Sequence, residues 1–205
     1  MTSPLKNLCL CILFALLSNC TSTINVHNVD VSTPVGLKKI KGNYAAYIQT
    51  GGWVLKSKAK GFACSAWKHK IDLNSSYKKS MKSLLENSLE NITFYDRVLT
   101  KQELNDKGYN AQISILQGNA ASGFSVNPGF FTSNIETTID LNAIVSSFGK
   151  SGLQFQKEFK VSGKGCNDSM GCSGEKGAQA AAVEAIRQLV EIGSLYIRDG
   201  LHSVT

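Results

Sequence analysis

The sequence contains few of the residue types that enzymes use most often in catalysis. Histidine occurs three times in 205 residues, as His27, His69 and His202. His27 precedes the predicted domain and His202 follows its last helix, while His69 stands between two lysines, where we expect it to be exposed. No Gly-x-Ser-x-Gly, His-Glu-x-x-His or P-loop pattern is present. The sequence therefore favours a protein that is not an enzyme and holds no cofactor.

The sequence also lacks an apolar run long enough to cross a membrane. Its main run extends from Leu8 to Leu17, which is too short for a bilayer-spanning helix. Lys6 precedes this run and small polar residues follow it. A basic residue, a short apolar stretch and small residues are the layout of a secretory signal. We therefore expect the protein to be exported.

The end of this segment, Leu17-Ser18-Asn19-Cys20, resembles the lipobox of bacterial lipoproteins. The resemblance implies that residues 1–19 are removed as a signal peptide. It also implies that Cys20 carries a thioether-linked diacylglycerol and an acylated amino group. Thr21 stands where Asp would favour retention in the inner membrane, so the resemblance implies an outer-membrane anchor with the domain facing the periplasm. The alternative is an ordinary signal followed by a soluble periplasmic or secreted protein.

Besides Cys20, the mature chain has three cysteines: Cys64, Cys166 and Cys172. Disulfides persist in the oxidising compartments that exported proteins enter. We expect Cys166 to pair with Cys172, since the two enclose a short Gly-rich loop, and Cys64 to be a small buried residue. The alternative joins Cys64 to one of the other two. A zinc site would need His69 as a fourth ligand, and the spacing fits no common zinc module, so we expect no metal.

The hydrophobic pattern predicts one domain over residues 35–205, preceded by a polar, flexible tether over residues 20–34. A helix capped by Asn74 or Ser75 is predicted, because apolar residues then recur at helical spacing from Tyr77 as far as Leu89. A longer helix is predicted from Glu175 to about Arg198, with small residues at its start for close packing and Gly200 ending it.

Period-two alternation and β-favouring residues predict the strands. They cover Asn43–Ile48, Trp53–Leu55, Phe62–Trp67, Asn91–Tyr95, Tyr109–Ile115, Ile135–Leu141 and Leu153–Val161. The predicted fold class is α+β, a two-layer sandwich whose mostly antiparallel sheet carries two amphipathic helices on one face. In outline this resembles small envelope lipoproteins of the lipopolysaccharide-assembly and peptidoglycan-synthase activator types, a likeness of fold alone.

Two surface features are candidate binding sites. The net charge of +7 comes from dispersed lysines, and Lys78, Lys79 and Lys82 on the wet face of the first helix are candidate contacts for an anionic surface. The segment from Gly118 to Phe131 is predicted to be a long loop, and such loops are often functional. Its candidate partner contacts are Phe124, Phe130 and Phe131.

These features support three hypotheses. The leading one is a non-catalytic lipoprotein that acts as a membrane-tethered accessory or scaffold for an envelope complex. The second is a binding module for an anionic glycan or lipid, such as lipopolysaccharide or peptidoglycan. The third is a hydrolase with a dispersed site, which a deep polar pocket beside His69 would favour. The expected partners are the membrane, through the lipid, and an envelope protein. Export and the lack of a binding motif argue against nucleic acid, and the oligomeric state stays open.

Overall fold

The computed structural model describes residues 21–26, 29, 38–60, 64, 68–129, 132–169 and 172–202. The predicted signal peptide, Cys20, Phe130 and Phe131 lie outside the described residues. The strands are β1 Thr21–Asn25, β2 Ile40–Ile48, β3 Val54–Lys60, β4 Lys68–Asp72, β5 Leu89–Tyr95, β6 Ala111–Pro128, β7 Ser133–Gly149 and β8 Gly152–Ser169. The helices are α1 Asn74–Ser88, α2 Lys101–Asp106 and α3 Glu175–His202.

The strands form one mixed sheet in the order β1-β4-β3-β6-β2-β5, with β7 pairing with both β6 and β8. Within the described residues, β3–β4, β6–β7 and β7–β8 are antiparallel, whereas β1–β4, β2–β5, β2–β6 and β3–β6 are parallel. The two longest pairings are antiparallel, so most paired residues follow the predicted direction. The parallel half was not predicted, and neither were strands β1 and β4.

Helices α1 and α3 contact each other and pack on the sheet, α1 against β2 and β5, and α3 against β7 and β8. Two glycines of β8 let α3 come close. A Cβ on Gly163 would lie 1.9 Å from the Ala181 carbonyl oxygen, and one on Gly165 would lie 2.1 Å from that of Gly177. The small residues at the start of α3 therefore pack directly on the sheet, as predicted. The α+β fold class is confirmed.

The predicted flexible tether is wrong in its first part. Thr21–Asn25 forms strand β1, which pairs in parallel with β4. Ile24 and Val26 are each 1% exposed, and the Ser76 hydroxyl donates a hydrogen bond to the Val26 carbonyl. Ile24 and Val26 are thus buried in the core, and this burial stabilises the strand. The described part of the domain therefore includes Thr21–Asn25.

Both predicted helices form, but their ends differ from prediction. Asn74 is the first residue of α1 rather than its cap. The Asp72 side chain supplies the hydrogen-bond acceptor at this end of the helix: its Oδ1 accepts from the Asn74 backbone N–H at 3.0 Å. Gly200 does not end α3, which continues to His202. A Cβ on Gly200 would lie 2.3 Å from Cδ1 of Phe155, so glycine is needed there for the close approach of an aromatic ring.

The face of the sheet opposite α1 and α3 is not fully exposed to solvent, because α2 and the residues before it cover part of it. Leu99 and Leu104, just before and within α2, are buried together with Ala45 of β2. Gln112 of β6 is fully buried beneath them and is hydrogen bonded at both ends: Oε1 accepts from the Leu99 N–H at 2.7 Å, and Nε2 donates to the Arg97 carbonyl at 3.1 Å. A buried amide needs such partners. In the described part of the chain, no helix is long and apolar enough to cross a membrane.

Candidate ligand-binding cleft

The three predicted lysine contacts lie on the exposed face of α1. The buried residues Tyr77, Met81, Leu84 and Leu85 recur at helical spacing and point toward the core. Lys78, Lys79 and Lys82 are therefore turned outward, and all three are exposed. Lys78 and Lys82 stand four residues apart, which places them one turn apart on the same side of the helix.

Lys78 and Lys82 form one wall of a cleft between α1 and the ends of β2 and β5. The cleft has a volume of about 480 Å³. Its other lining residues are Tyr47, Ile48, Thr50, Phe94, Tyr95 and Asp96. Lys79 does not line it. The structure thus brings two of the three predicted lysines together with aromatic residues that the sequence analysis did not assign to a site.

Charge and aromatic surface meet in this cleft. The Lys82 ammonium lies 5.3 Å from the centre of the Phe94 ring, a cation–π distance, and 3.7 Å from the Glu86 carboxylate. Both Lys82 and Glu86 are about half exposed, so their ion pair contributes little. Lys82 therefore remains available to an external anion, while Phe94 offers a flat apolar surface beside it.

Tyr95, one of the lining residues, forms a pair with Tyr109, and both pack against Leu99 and Leu104 on the opposite face of the sheet. The hydroxyl oxygens of Tyr95 and Tyr109 lie 3.0 Å apart and share a hydrogen bond. This hydrogen bond raises the pKa of Tyr95, so the phenol stays neutral at physiological pH. Tyr95 therefore adds no negative charge to oppose an anionic ligand, and Asp96 is the carboxylate among the residues that line the cleft.

The predicted aromatic contact loop is wrong in the part that the structure describes. Gly118 to Pro128 continues strand β6 beyond an irregularity between Gln117 and Ala120. Phe124 is 1% exposed and belongs to the core. The glycines and polar residues that indicated a loop instead accompany a register shift in a long strand. Phe130 and Phe131 lie outside the described residues, so their proposed contact role stays a prediction.

His69 is buried, contrary to the prediction that it is exposed. Alternation along β4 turns it toward the core, where it is 2% exposed and its ring stacks on Phe124 with the ring centres 4.4 Å apart. Burial lowers the pKa of His69, so the ring is neutral at pH 7. Neither ring nitrogen has a hydrogen-bond partner within the described residues.

A groove of about 540 Å³ does lie beside His69. Its lining residues are Thr21, Lys56, Ser57, Lys58, Lys68, His69 and Lys70. No carboxylate lines it to orient the imidazole, and the Ser57 hydroxyl donates to the Ser122 carbonyl rather than to His69. A histidine that acts as a base needs both an orienting group and a nucleophile within reach. The residues of this groove do not supply them.

The disulfide joins Cys64 to Cys172, with the two Cα atoms 5.5 Å apart. The preferred pairing of Cys166 with Cys172 is therefore wrong, and one of the alternatives is correct. Residues 165–169 of the segment that indicated a Gly-rich loop are the end of β8, in which Cys166 pairs with Glu136 of β7. The extended strand carries Cys166 away from Cys172 and leaves it exposed as a free thiol. No cluster of metal-ligating side chains occurs in the described residues.

Comparison with solved structures finds this fold in other proteins. A Xanthomonas campestris protein of the DUF330 family matches 90% of this chain over 99% of its own length, with a TM-score of 0.54 at 8% identity. A neuraminyllactose-binding hemagglutinin homolog from Helicobacter pylori matches 84% of this chain over 96% of its own, with a TM-score of 0.50 at 8% identity. At this identity the likeness is one of fold. No protein-family model matches the chain, and no curated protein sequence does.

Proposed function

We propose that this chain is a non-catalytic accessory protein of a bacterial cell envelope, held on the outer membrane by lipid on Cys20 with its domain in the periplasm. The observation that carries export is the Cys64–Cys172 disulfide, because such bonds persist outside the reducing cytosol. Strand β1 begins at Thr21, directly after the proposed lipid site. The domain then stands close to the membrane, without the long tether that the sequence indicated.

Lipidation is tested by labelling with radioactive palmitate and by membrane fractionation. We expect the wild-type protein to incorporate label and to sediment with membranes. Cys20→Ala abolishes both, whereas Cys166→Ala, which removes the exposed free thiol, changes neither. Unchanged labelling and fractionation of Cys20→Ala would remove the anchor from the proposal.

The accessory role is tested by photo-crosslinking in living cells. A crosslinking amino acid is placed at Leu153 or Leu195, which are 61% and 57% exposed, and at Lys101 as an exposed polar control. We expect the apolar positions to capture a specific envelope protein that the control position does not. A uniform pattern at all three positions, or capture of nothing at any of them, contradicts a scaffold role at these surfaces.

A second candidate function, the binding of an anionic glycan or lipid, is favoured by the cleft. Lys78 and Lys82 supply two positive charges beside the Phe94 ring. Such a pairing suits a ligand that carries both an anionic group and an apolar face. One fold neighbour is named for binding neuraminyllactose. At 8% identity only the fold is shared, so this proposal depends on the cleft itself.

The cleft provides its own matched control. We expect Lys78→Ala and Lys82→Ala, each as a single variant, to weaken binding of lipopolysaccharide or of a muropeptide by about tenfold or more, since each charged hydrogen bond contributes about 1.5–3 kcal/mol. Lys79→Ala removes one charge from the same helix without touching the cleft. Added salt should weaken wild-type binding sharply. Equal losses from Lys79→Ala and from either cleft lysine changed to Ala alone would assign the effect to general charge.

A further inference from the structure

Strands β3 and β4 carry lysine at four adjacent outward positions. In their antiparallel register Lys56 lies opposite Lys70, and Lys58 lies opposite Lys68. Directly opposite residues point to the same face of a sheet, with their Cβ atoms about 5 Å apart. His69, between two of these lysines, faces the core instead. The four side chains thus form one surface, which we call the lysine quartet.

The quartet is not neutralised within the described part of the protein. The ion pairs there involve Lys82, Arg97 and Arg187, and none includes a quartet lysine. Asp72 continues the same row of β4, but its Oδ1 accepts hydrogen bonds from the Asn74 backbone and side-chain nitrogens at 3.0 and 3.1 Å. Like charges placed directly opposite each other destabilise a strand pair. An external anion would relieve this repulsion.

The position of the quartet indicates which anion it meets. Thr21, the first residue of β1, lies opposite Lys68 and lines the same groove. Cys20 precedes Thr21 directly, so a lipid on Cys20 enters the bilayer beside the quartet. A surface of like charge next to an anchor faces the phosphate groups of the membrane. Lysine is suited to this contact, because its flexible stem carries a compact point charge that tolerates many headgroup positions.

We infer that the lysine quartet binds the headgroups of anionic phospholipids and thereby holds the domain in one orientation on the membrane. The adjacency of the anchor rests on the proposed function, whereas binding of the lysines to phosphate does not. Each lysine near an anionic surface strengthens binding by about fivefold, so four contribute several hundredfold at low salt.

The test uses the unacylated chain from Thr21, which contains every described strand and helix. Binding is measured by co-sedimentation with vesicles of phosphatidylcholine alone and of phosphatidylcholine mixed with phosphatidylglycerol. The quartet is changed to Gln at all four positions. The matched control has the same loss of charge at four exposed lysines elsewhere: Lys101, Lys150, Lys157 and Lys176.

We expect the wild-type chain to bind the anionic vesicles, the quartet variant to lose more than a hundredfold in affinity, and the control variant to lose about tenfold or less. Equal losses in the two variants, or equal binding to both kinds of vesicle, would overturn the inference. Complete inhibition of vesicle binding by millimolar inorganic phosphate would also overturn the inference, because it would show that the quartet binds a free anion. If palmitate fails to label Cys20 while the vesicle results hold, the proposed anchor fails and the quartet stands.

A single charge reversal separates binding from folding. Lys56→Glu places a carboxylate opposite Lys70 and replaces repulsion with attraction. We expect this variant to unfold at a higher temperature than the wild type and yet to bind anionic vesicles more than tenfold more weakly. Weaker vesicle binding together with a lower unfolding temperature would indicate damage to the fold and would contradict the argument from unrelieved repulsion.

Discussion

The disulfide between Cys64 and Cys172 predicts a large and specific loss of stability on its removal. The two residues are 108 apart in sequence, so the bridge closes a very long loop. In the chain-entropy model, closing a loop of ~100 residues stabilises the folded state by about 4.7 kcal/mol. A domain of this size has a free energy of unfolding of about 5–15 kcal/mol. Removing the bridge should therefore cost a third or more of the total.

The experiment replaces Cys64 and Cys172 together with Ala and follows unfolding in urea. The bridge joins a residue between β3 and β4 to a residue before α3. Cys64 belongs to the hydrophobic core and Cys172 packs against it. With an m-value of about 2 kcal/mol/M, the expected loss lowers the urea midpoint by roughly 2 M. Dithiothreitol should lower the wild-type midpoint by a similar amount and leave the double variant unchanged.

The control is Cys166→Ala, which removes the free thiol. This variant should keep the wild-type urea midpoint and the wild-type sensitivity of that midpoint to dithiothreitol. Without prior reduction, it should also be the one variant with no thiol available to an alkylating reagent. A short loop between Cys166 and Cys172 would contribute only about 2 kcal/mol. A large loss in Cys166→Ala, or non-reduced peptides that join Cys166 to Cys172, would refute the pairing and the reasoning from loop length.

Two further predictions concern the core. Gly163→Ala should destabilise the fold by about 3 kcal/mol or more, because its Cβ would lie 1.9 Å from the Ala181 carbonyl oxygen. A Cβ on Gly193 in α3 would lie 3.3 Å from Cδ2 of Leu84 and 3.8 Å from Cζ of Phe159, so Gly193→Ala should be neutral or stabilising by up to about 1 kcal/mol. Similar thermal midpoints for the two variants would contradict the close packing of α3. Burial lowers the pKa of His69 below its ordinary 6.5, so the unfolded chain binds a proton at this histidine before the folded chain does. The free energy of unfolding therefore keeps its full His69 contribution above about pH 6.5 and falls below that pH by up to about 1.36 kcal/mol per pH unit. His69→Phe should flatten this part of the urea-midpoint profile between pH 7 and 5, and an unchanged slope would show that other groups cause it.

The helices were predictable because their signal is local. In α1 the residues Tyr77, Met81, Leu84 and Leu85 repeat at helical spacing, and all four are buried. The start of α3 was predicted from small residues, and Gly165 of β8 explains why small residues are required there. In each case one segment of sequence contains enough information to specify the element and its buried face.

The errors arose where the outcome depends on segments distant in sequence. Strand β1 is too polar to be recognised alone and becomes a strand because β4 supplies its hydrogen bonds. Cys172 pairs with a residue 108 positions away, and no local spacing indicates that partner. His69 seemed exposed because lysines flank it, although alternation in a strand places neighbours on opposite faces. The sequence Lys68-His69-Lys70 itself contains that period-two signal.

The lysine quartet shows how far the sequence analysis could reach toward a site. Lys56 and Lys58, and likewise Lys68 and Lys70, each stand two residues apart, which is the spacing of one face of a strand. Each pair alone predicts a wet strand face and no more. Only the register of β3 against β4 places the pairs opposite each other. A shift of one residue would turn the lysines of one strand into the core and carry His69 to the surface, so the cost of burying charge holds this register in place. The residues that make the surface cationic are therefore also among those that specify how the two strands pair.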